Sequence, residues 1–385
     1  MSHVLVAPDK FKGTLTAGQV AGHLAAGLER VRPGLGIVQV PVADGGDGTV
    51  DAAEAAGYRR IEMGVRGPTG KAITAAFAFA DGTAVIEAAA ASGLALLPDG
   101  DPAPLTAHTR GVGELILTAA RMRAKRIVLG LGGVATTDGG SGMVRAFGAR
   151  LLDSAGVELP AGGGALARLA ELDLSKLRDL SGTEFVVAND VDNPLLGPHG
   201  AAAVYGPQKG ATPADVAVLE EGLTRWADVV EGTLGGADQV PGGADQVPGG
   251  SYRDVPGAGA AGGLGFAALA FLGATSRPGI ELMLELISFG SHLDNASLVI
   301  TGEGALDAQS LRGKAPVGVA RASGPDVPVV AVCGICSLTP DELRAAGISR
   351  AYALTDIEPD IDRCRANPGP LLETLAAQIA ADWIA

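Results

Sequence analysis

With 385 residues the chain can hold two domains, each with its own core. Hydrophobic residues make up 47% of it and aromatic ones only 4%, so the cores are expected to be packed with Ala, Val and Leu, as in an α/β protein. The formal net charge of −14 argues against nucleic acid or an anionic membrane as a partner, and an anionic substrate would need a local cluster of cations.

Residues 4–7 are an apolar run that reads as a strand, and Pro8-Asp9-Lys10-Phe11-Lys12-Gly13 is the loop after it. Thr16 with Gln19 forms a capping box that opens a helix to about residue 31. The next strand, 37–42, empties into Ala43-Asp44-Gly45-Gly46-Asp47-Gly48-Thr49 and a second helix. Strands alternating with helices predict a parallel sheet covered on both faces. From about residue 60 the pattern changes: 72–80 and 83–88 are β-capable runs joined by Asp81-Gly82, a hairpin signal.

A helix over 111–122 leads to a strand at 127–129 and then to Gly130-Leu131-Gly132-Gly133-Val134-Ala135-Thr136-Thr137-Asp138-Gly139-Gly140-Ser141-Gly142. Glycines that free backbone N–H groups, the hydroxyls of Thr136, Thr137 and Ser141, and a following helix N-terminus are the parts of a phosphate cradle. Asp138 inside it points to a metal ion. Two blander readings stand beside this one. Gly130, Gly132 and Ala135 fit a dinucleotide fingerprint with Asp153 near the acidic position, or the stretch is a plain turn.

A short hairpin is expected within 149–158, and a strand over 185–188 ends in Asn189-Asp190-Val191-Asp192-Asn193-Pro194. Tyr205-Gly206-Pro207-Gln208-Lys209-Gly210 precedes a helix over 213–230. Residues 235–248 repeat Gly-Gly-Ala-Asp-Gln-Val-Pro in tandem, which reads as a surface loop or linker without chemistry. Gly257 to Gly262 match G-x-G-x-x-G, but Pro256 stands where a strand should precede them. After about 295 the alternation returns, with strands at 298–301, 327–333 and 351–354 and helices at 316–322, 340–346 and 371–384. The predicted architecture is two α/β domains. A parallel, doubly wound, flavodoxin- or Rossmann-like sheet is built from both chain ends, 1–60 and 295–385. Residues 61–294 are inserted as a second α/β domain with a mixed sheet, and the active-site cleft lies between the two.

No apolar run has the length of a signal-peptide core or a membrane span, so a cytoplasmic protein is expected. Cys333, Cys336 and Cys364 form no disulfide framework, and Cys333-Gly-Ile-Cys336 is read as loop thiols rather than a redox pair. The five histidines show no metal-ligand spacing, and neither a G-x-S-x-G elbow nor a G-x-x-x-x-G-K-[ST] loop occurs.

Four strands are thus expected to end in acidic loops carrying Asp44 and Asp47, Asp138, Asp190 and Asp192, and Glu303 with Asp307. Lys10, Lys12, Lys209 and Lys314 stand in similar loops. Parallel sheets bind ligands outside the carboxyl ends of their strands, so these loops can converge. Carboxylates for Mg²⁺ and a proton, with lysines and N–H groups for phosphates, are what phosphoryl transfer requires.

The segments 7–13 (Ala-Pro-Asp-Lys-Phe-Lys-Gly), 41–49 (Pro-Val-Ala-Asp-Gly-Gly-Asp-Gly-Thr), 109–116 (Thr-Arg-Gly-Val-Gly-Glu-Leu-Ile) and 137–143 (Thr-Asp-Gly-Gly-Ser-Gly-Met) resemble the bacterial glycerate kinase family, type 1. So do 190–195 (Asp-Val-Asp-Asn-Pro-Leu), 206–211 (Gly-Pro-Gln-Lys-Gly-Ala), 256–265 and 299–304 (Val-Ile-Thr-Gly-Glu-Gly), in the family's order. The resemblance implies ATP- and Mg²⁺-dependent phosphorylation of D-glycerate, with 2-phosphoglycerate the usual product and 3-phosphoglycerate the alternative. On this reading Asp190 is the general base or a metal-linked orienter, with Asp44 and Asp138 as its partners and Lys12 as a further catalytic residue. Asp9, Gly45, Gly46 and Arg110 would contact substrate or nucleotide. So would the cradle residues Thr136, Thr137, Asp138, Gly139, Gly140 and Ser141, and Gln208, Lys209, Glu303 and Lys314. Asp190, Asp138 and Glu303 are the expected metal carboxylates. A homodimer stays open. Lys10, Val134, Thr137, Asn189 and Ala305 depart from the family's usual residues, and Lys10 is a candidate replacement for the arginine that commonly follows Gly-Glu-Gly. Two rivals are an NAD-dependent hydroxyacid dehydrogenase, resting on the 130–135 fingerprint, and a catalytically silent glycerate sensor.

Overall fold

The computed structural model describes residues 2–235 and 251–384, so all of the tandem heptads but Gly235 lies outside the described residues. The chain divides into two compact units, one formed by the residues up to Tyr58 together with those from Pro278 onward, the other by Arg59–Arg277. In chain order the strands are β1 (His3–Pro8), β2 (Ile37–Gln39), β3 (Arg59–Arg66), β4 (Ala72–Ala80), β5 (Thr83–Glu87), β6 (Arg126–Gly130) and β7 (Arg150–Leu152). They continue with β8 (Glu171–Asp173), β9 (Glu184–Ala188), β10 (Thr275–Arg277), β11 (Ala296–Leu306), β12 (Val329–Cys336) and β13 (Arg350–Ala353).

The first unit is a five-stranded sheet in the order β13-β12-β11-β1-β2, with every neighbouring pair parallel. Counted within the sheet this is the order 2-1-3-4-5 of flavodoxin-like folds, whose reversal lies between β1 and β11. Val4, Leu5, Val6 and Ala7 of β1 are fully buried, as a central parallel strand covered on both faces requires. The helix Ala17–Val31 begins at Thr16 with both hydrogen bonds of the capping box to Gln19. Its Val20, Leu24 and Leu28 share a core with Leu372, Leu375 and Ile379 of the helix Pro368–Trp383. At Gly27 these helices meet backbone to backbone, since a Cβ there would lie 2.4 Å from the Glu373 carbonyl oxygen.

Three boundaries differ from the expectation. The strand β2 stops at Gln39, although the N–H groups of Val40 and Val42 still bond the carbonyls of Val6 and Pro8. The strand β11 runs on through Glu303 and Ala305 to Leu306, because β12 continues beside it and pairs Cys333, Ile335 and Cys336 with Glu303, Ala305 and Leu306. Glu303 is therefore a strand residue and not part of a loop. The chain returns to the first unit at Pro278, ahead of residue 295, because Ile280, Met283, Ile287 and Phe289 are buried in that unit's core.

The second unit holds a mixed six-stranded sheet, β10-β9-β6-β5-β4-β3, parallel from β10 to β5 and antiparallel from β5 to β3. Asp81 and Gly82 take φ values of +47° and +78°, the left-handed pair that an Asp-Gly hairpin turn needs. The edge strand β3 is absent from the sequence-based expectation. The 149–158 hairpin closes through a Leu152–Glu158 bridge, while the longer pairing of β7 is with β8. Trp226 of the helix Pro213–Gly235 is fully buried, stacks on Phe271 at 6.0 Å, and donates its Nε1–H to the Gly139 carbonyl at 2.9 Å. Among the described residues no helix is long and apolar enough to cross a membrane.

Candidate active site

In the first unit the acidic residues gather where the sheet order reverses. Asp9 follows β1, Glu303 lies on the adjacent β11, and Asp44 follows β2 on the other side. The Asp9 side chain is only 8% exposed, with the Lys10 N–H donating to its Oδ1 at 2.6 Å and the Lys10 ammonium 3.6 Å away. Burial pushes the Asp9 carboxyl up to about 7, against the pull of Lys10 and with the help of Asp44 and Glu303. Burial also raises Glu303, opposed by Ser310 and by Lys314, whose ammonium is 3.6 Å from Oε2. Its Oε1 is buried without a hydrogen-bond partner. Asp44 is half-buried, its Oδ1 accepting the Gly46 N–H at 3.3 Å in the turn that starts the helix Thr49–Ala55. Gly45 in that turn has φ +87°. Lys12 is exposed between Phe11 and Leu15, which bridge to each other. A carboxyl that titrates near neutrality beside two other carboxylates can keep or release a proton at working pH.

Lys10, the proposed stand-in for the missing arginine, is committed locally: its ammonium donates to the Asp47 carbonyl at 2.6 Å. Ala305 is half-buried inside β11 rather than on a phosphate-facing loop.

In the second unit the glycine-rich stretch is a packed knot, not an open cradle. Thr136, Thr137 and Asp138 are fully buried and Ser141 nearly so. Asp138 Oδ2 accepts the Thr109 N–H at 2.9 Å, the Thr109 hydroxyl at 3.0 Å and the Gly142 N–H at 3.0 Å, while Oδ1 accepts the Gly140 N–H at 3.2 Å. The carboxylate thus neutralises the N-termini of the helices Arg110–Arg121 and Ser141–Ala146. Both Asp138 oxygens are thus engaged within the fold. Gly139 and Gly140 allow close packing, since a Cβ would lie 2.5 Å from Trp226 or 2.4 Å from Ala267. The dinucleotide pattern fails here as well: β6 ends at Gly130, but the next helix opens only at Ser141.

Polar groups nonetheless collect around the knot. The hydroxyls of Thr136 and Thr137 are buried without partners. Lys209 is buried with its ammonium 2.6 Å from the Thr136 carbonyl, and burial lowers its pKa to about 8 despite Asp138 nearby. Lys209 therefore buttresses the knot, while its neighbour Gln208 is exposed. His108 and Arg145, which the sequence reading did not single out, belong to the same charge group. Burial lowers the pKa of each, against the attraction of Asp138. The only sequence signal for His108 is its place directly before the Thr109-Arg110 motif. Arg110 is half-exposed at its helix start, 3.3 Å from Glu114.

Asp190 is exposed just beyond β9. Its loop is held by Asn189, whose side chain donates to the Val191 carbonyl at 2.7 Å and accepts its N–H at 3.2 Å. Asn193 ties the far side to the His199 carbonyl and the Tyr205 hydroxyl. The departure at 189 is matched by Gly257, where a Cβ would lie 2.4 Å from the Asn189 amide nitrogen. Among the described residues no group of three or more His, Cys, Asp or Glu is arranged to hold a metal ion.

A sequence profile described as the glycerate kinase family matches residues 4–384. The chain is 43% identical to a glycerate kinase of Bacillus subtilis (strain 168), over 98% of this chain and 97% of that protein. It is 44% identical to a glycerate 2-kinase of Escherichia coli (strain K12), over 88% and 86%. A solved structure from Salmonella typhimurium LT2, described as a candidate glycerate kinase 2, superimposes with a TM-score of 0.81 at 38% identity, covering 99% of both chains.

Proposed function

The chain belongs to the glycerate kinase family, and on that premise we propose that it transfers the γ-phosphoryl group of MgATP to D-glycerate, giving 2-phosphoglycerate and ADP. The observation that carries the site is the carboxylate group Asp9, Asp44 and Glu303 at the reversal point of a 2-1-3-4-5 sheet, where such folds bind ligands. The choice of the 2-hydroxyl leans on the likeness to the glycerate 2-kinase of Escherichia coli.

In this reading Asp190 takes the proton of the attacking hydroxyl, and Asp44 helps to orient the acceptor. Lys12 and Lys314 offset phosphate charge, and Arg110 pairs with the glycerate carboxylate. Asp9, Gly45, Gly46 and Gln208 line the ligands. Thr136, Thr137 and Ser141 supply hydroxyls, and Lys209, Asp138, Gly139 and Gly140 hold the knot that presents them. The residues present suit a magnesium ion bound mainly through nucleotide phosphates, as this ion often is, because no protein cage of three ligands exists among the described residues. Asp190 and Glu303 are the protein carboxylates assigned to it, since Asp138 is engaged by the Thr109, Gly140 and Gly142 N–H groups. When bound, the ion would neutralise charge on the transferring phosphate.

A coupled assay tests the reading: ADP release should require D-glycerate, and phosphorus NMR should show 2-phosphoglycerate. NADH formation would instead favour the dehydrogenase, and glycerate binding without either product the silent sensor.

Ala305→Arg should lower the Michaelis constant for ATP, with a smaller effect at high salt, if the face shared with Glu303 two residues earlier meets phosphate. A raised Michaelis constant would mean that the new guanidinium pairs with Glu303 or displaces Lys10.

A further inference from the structure

The loop that carries Asp190 is backed by a second segment of the same unit, residues 253–259. The Arg253 carbonyl accepts the N–H of Leu195 at 2.9 Å, and the Asn193 carbonyl accepts the N–H of Gly259 at 2.9 Å. Between these points Gly257 lies against the Asn189 amide, and at Gly259 a Cβ would come within 2.2 Å of the Pro194 carbonyl oxygen. The two stretches thus meet backbone against backbone, and a close-packed contact of this kind transmits a shift of one to the other.

Tyr252 and Ala258 pack the segment into the core, but apolar burial has no direction. The directional tie is the Arg253 side chain. Its Nε and Nη2 both donate to Glu231 Oε2, at 2.8 and 2.6 Å, and Nη2 also lies 2.8 Å from Asp228 Oδ1. The Arg253 N–H donates to the other Glu231 oxygen, Oε1, at 3.1 Å. Both acidic partners stand on the helix Pro213–Gly235, which Trp226 fixes against Phe271 and the Gly139 carbonyl. The Glu231 side chain is only 15% exposed, so these charge-assisted bonds lose little to solvent. The same helix reaches the loop again at Glu220, whose Oε1 accepts the Gly197 N–H at 2.6 Å.

We propose that Arg253 is a positioning residue for the phosphoryl transfer: clamped by Glu231 and Asp228, it locks the 253–259 segment against the Asp190 loop and so places the Asp190 carboxylate. The inference rests on the reading above, in which Asp190 takes the proton of the attacking hydroxyl. The clamp calls for arginine, because a planar fork meets two carboxylates in fixed directions and a lysine ammonium does not. A misplacement of about 1 Å can cost about 10²-fold in rate, so releasing the clamp acts on kcat.

Arg253→Met, Arg253→Lys and Glu231→Gln are made in the full-length protein, each alone and together with Asp190→Asn, and their melts are recorded beside the kinetics. Arg253→Met should lower kcat by about 10- to 100-fold and leave the Michaelis constants for MgATP and D-glycerate within about threefold. Arg253→Lys should recover part of that loss. Glu231→Gln turns one carboxylate oxygen into a donor facing the guanidinium, and should lower kcat by about 10-fold, so it carries the test if Arg253→Met does not fold. With Asp190→Asn already present, each change should cost less than about twofold more, because no placed base is left to lose. Losses that multiply with that of Asp190→Asn overturn the positioning role and leave the reading of Asp190 standing, as does a kcat within about threefold of the parent in both Arg253→Met and Glu231→Gln. An Asp190→Asn enzyme that by itself keeps turnover within about threefold removes the reading of Asp190, and this proposal with it.

Discussion

Asp190→Asn should lower turnover by about 10²–10⁴-fold at saturating D-glycerate and MgATP, while the protein stays folded. The carboxylate is exposed just past the end of β9, on a loop that Asn189 and Asn193 help to hold. Asparagine nearly preserves its volume and keeps one acceptor oxygen, so the change removes charge and basicity with little change of shape. Asp192, two residues on and also exposed, is the internal control. Asp192→Asn should cost much less turnover, because nothing in the proposed chemistry passes through it. Thermal melts of the two variants should agree with the parent. If Asp190→Asn retains turnover within about threefold, it is neither base nor metal orienter, since a working base contributes far more.

The parts of this molecule that were legible in the sequence are those with a local cause. The capping box at Thr16 and Gln19 and the hairpin turn at Asp81-Gly82 each rest on a few adjacent residues whose geometry forces the outcome. The alternation of strands and helices likewise located β1, β6, β9 and β12. What was missed depends on distant partners. The apolar alternation of β3, Ile61, Met63 and Val65, is short and flanked by three arginines, and only its pairing with β4 makes it a strand. Glu303 reads as a loop residue between two glycines, yet β12 carries the ladder past it. Asp138 misled most. A carboxylate among glycines and hydroxyls looks like part of an anion cradle, but its chief partner is Thr109, whose position the sequence does not reveal. The same holds for Lys209, whose ammonium is turned inward onto the Thr136 carbonyl.

Asp9→Asn should change the pH dependence of stability more than any other single carboxylate replacement in the first unit. In the folded protein the Asp9 carboxyl titrates at about 7, against an ordinary 3.8, chiefly because it is buried. Below about pH 4 the group is protonated in both states and carries no penalty. As pH rises from about 4 to 7 the unfolded chain releases the proton while the folded protein keeps it, so stability falls. Above about pH 7 both states are ionised and the whole loss persists. A shift from 3.8 to about 7 corresponds to about 4 kcal/mol at most. With its side chain 8% exposed, solvent screens little of this. Asparagine cannot ionise, yet it still offers an oxygen to the Lys10 N–H that now bonds Oδ1 at 2.6 Å. Urea melts of both proteins should therefore agree near pH 4, and the variant should become the more stable by a few kcal/mol by pH 8. Glu303, raised in the same direction, leaves part of the fall in both proteins, which is why the difference between them is the quantity to read. Parallel curves from pH 4 to 8 would mean that Asp9 is ionised throughout, and with that the proton-holding role of the reversal-point site would be lost.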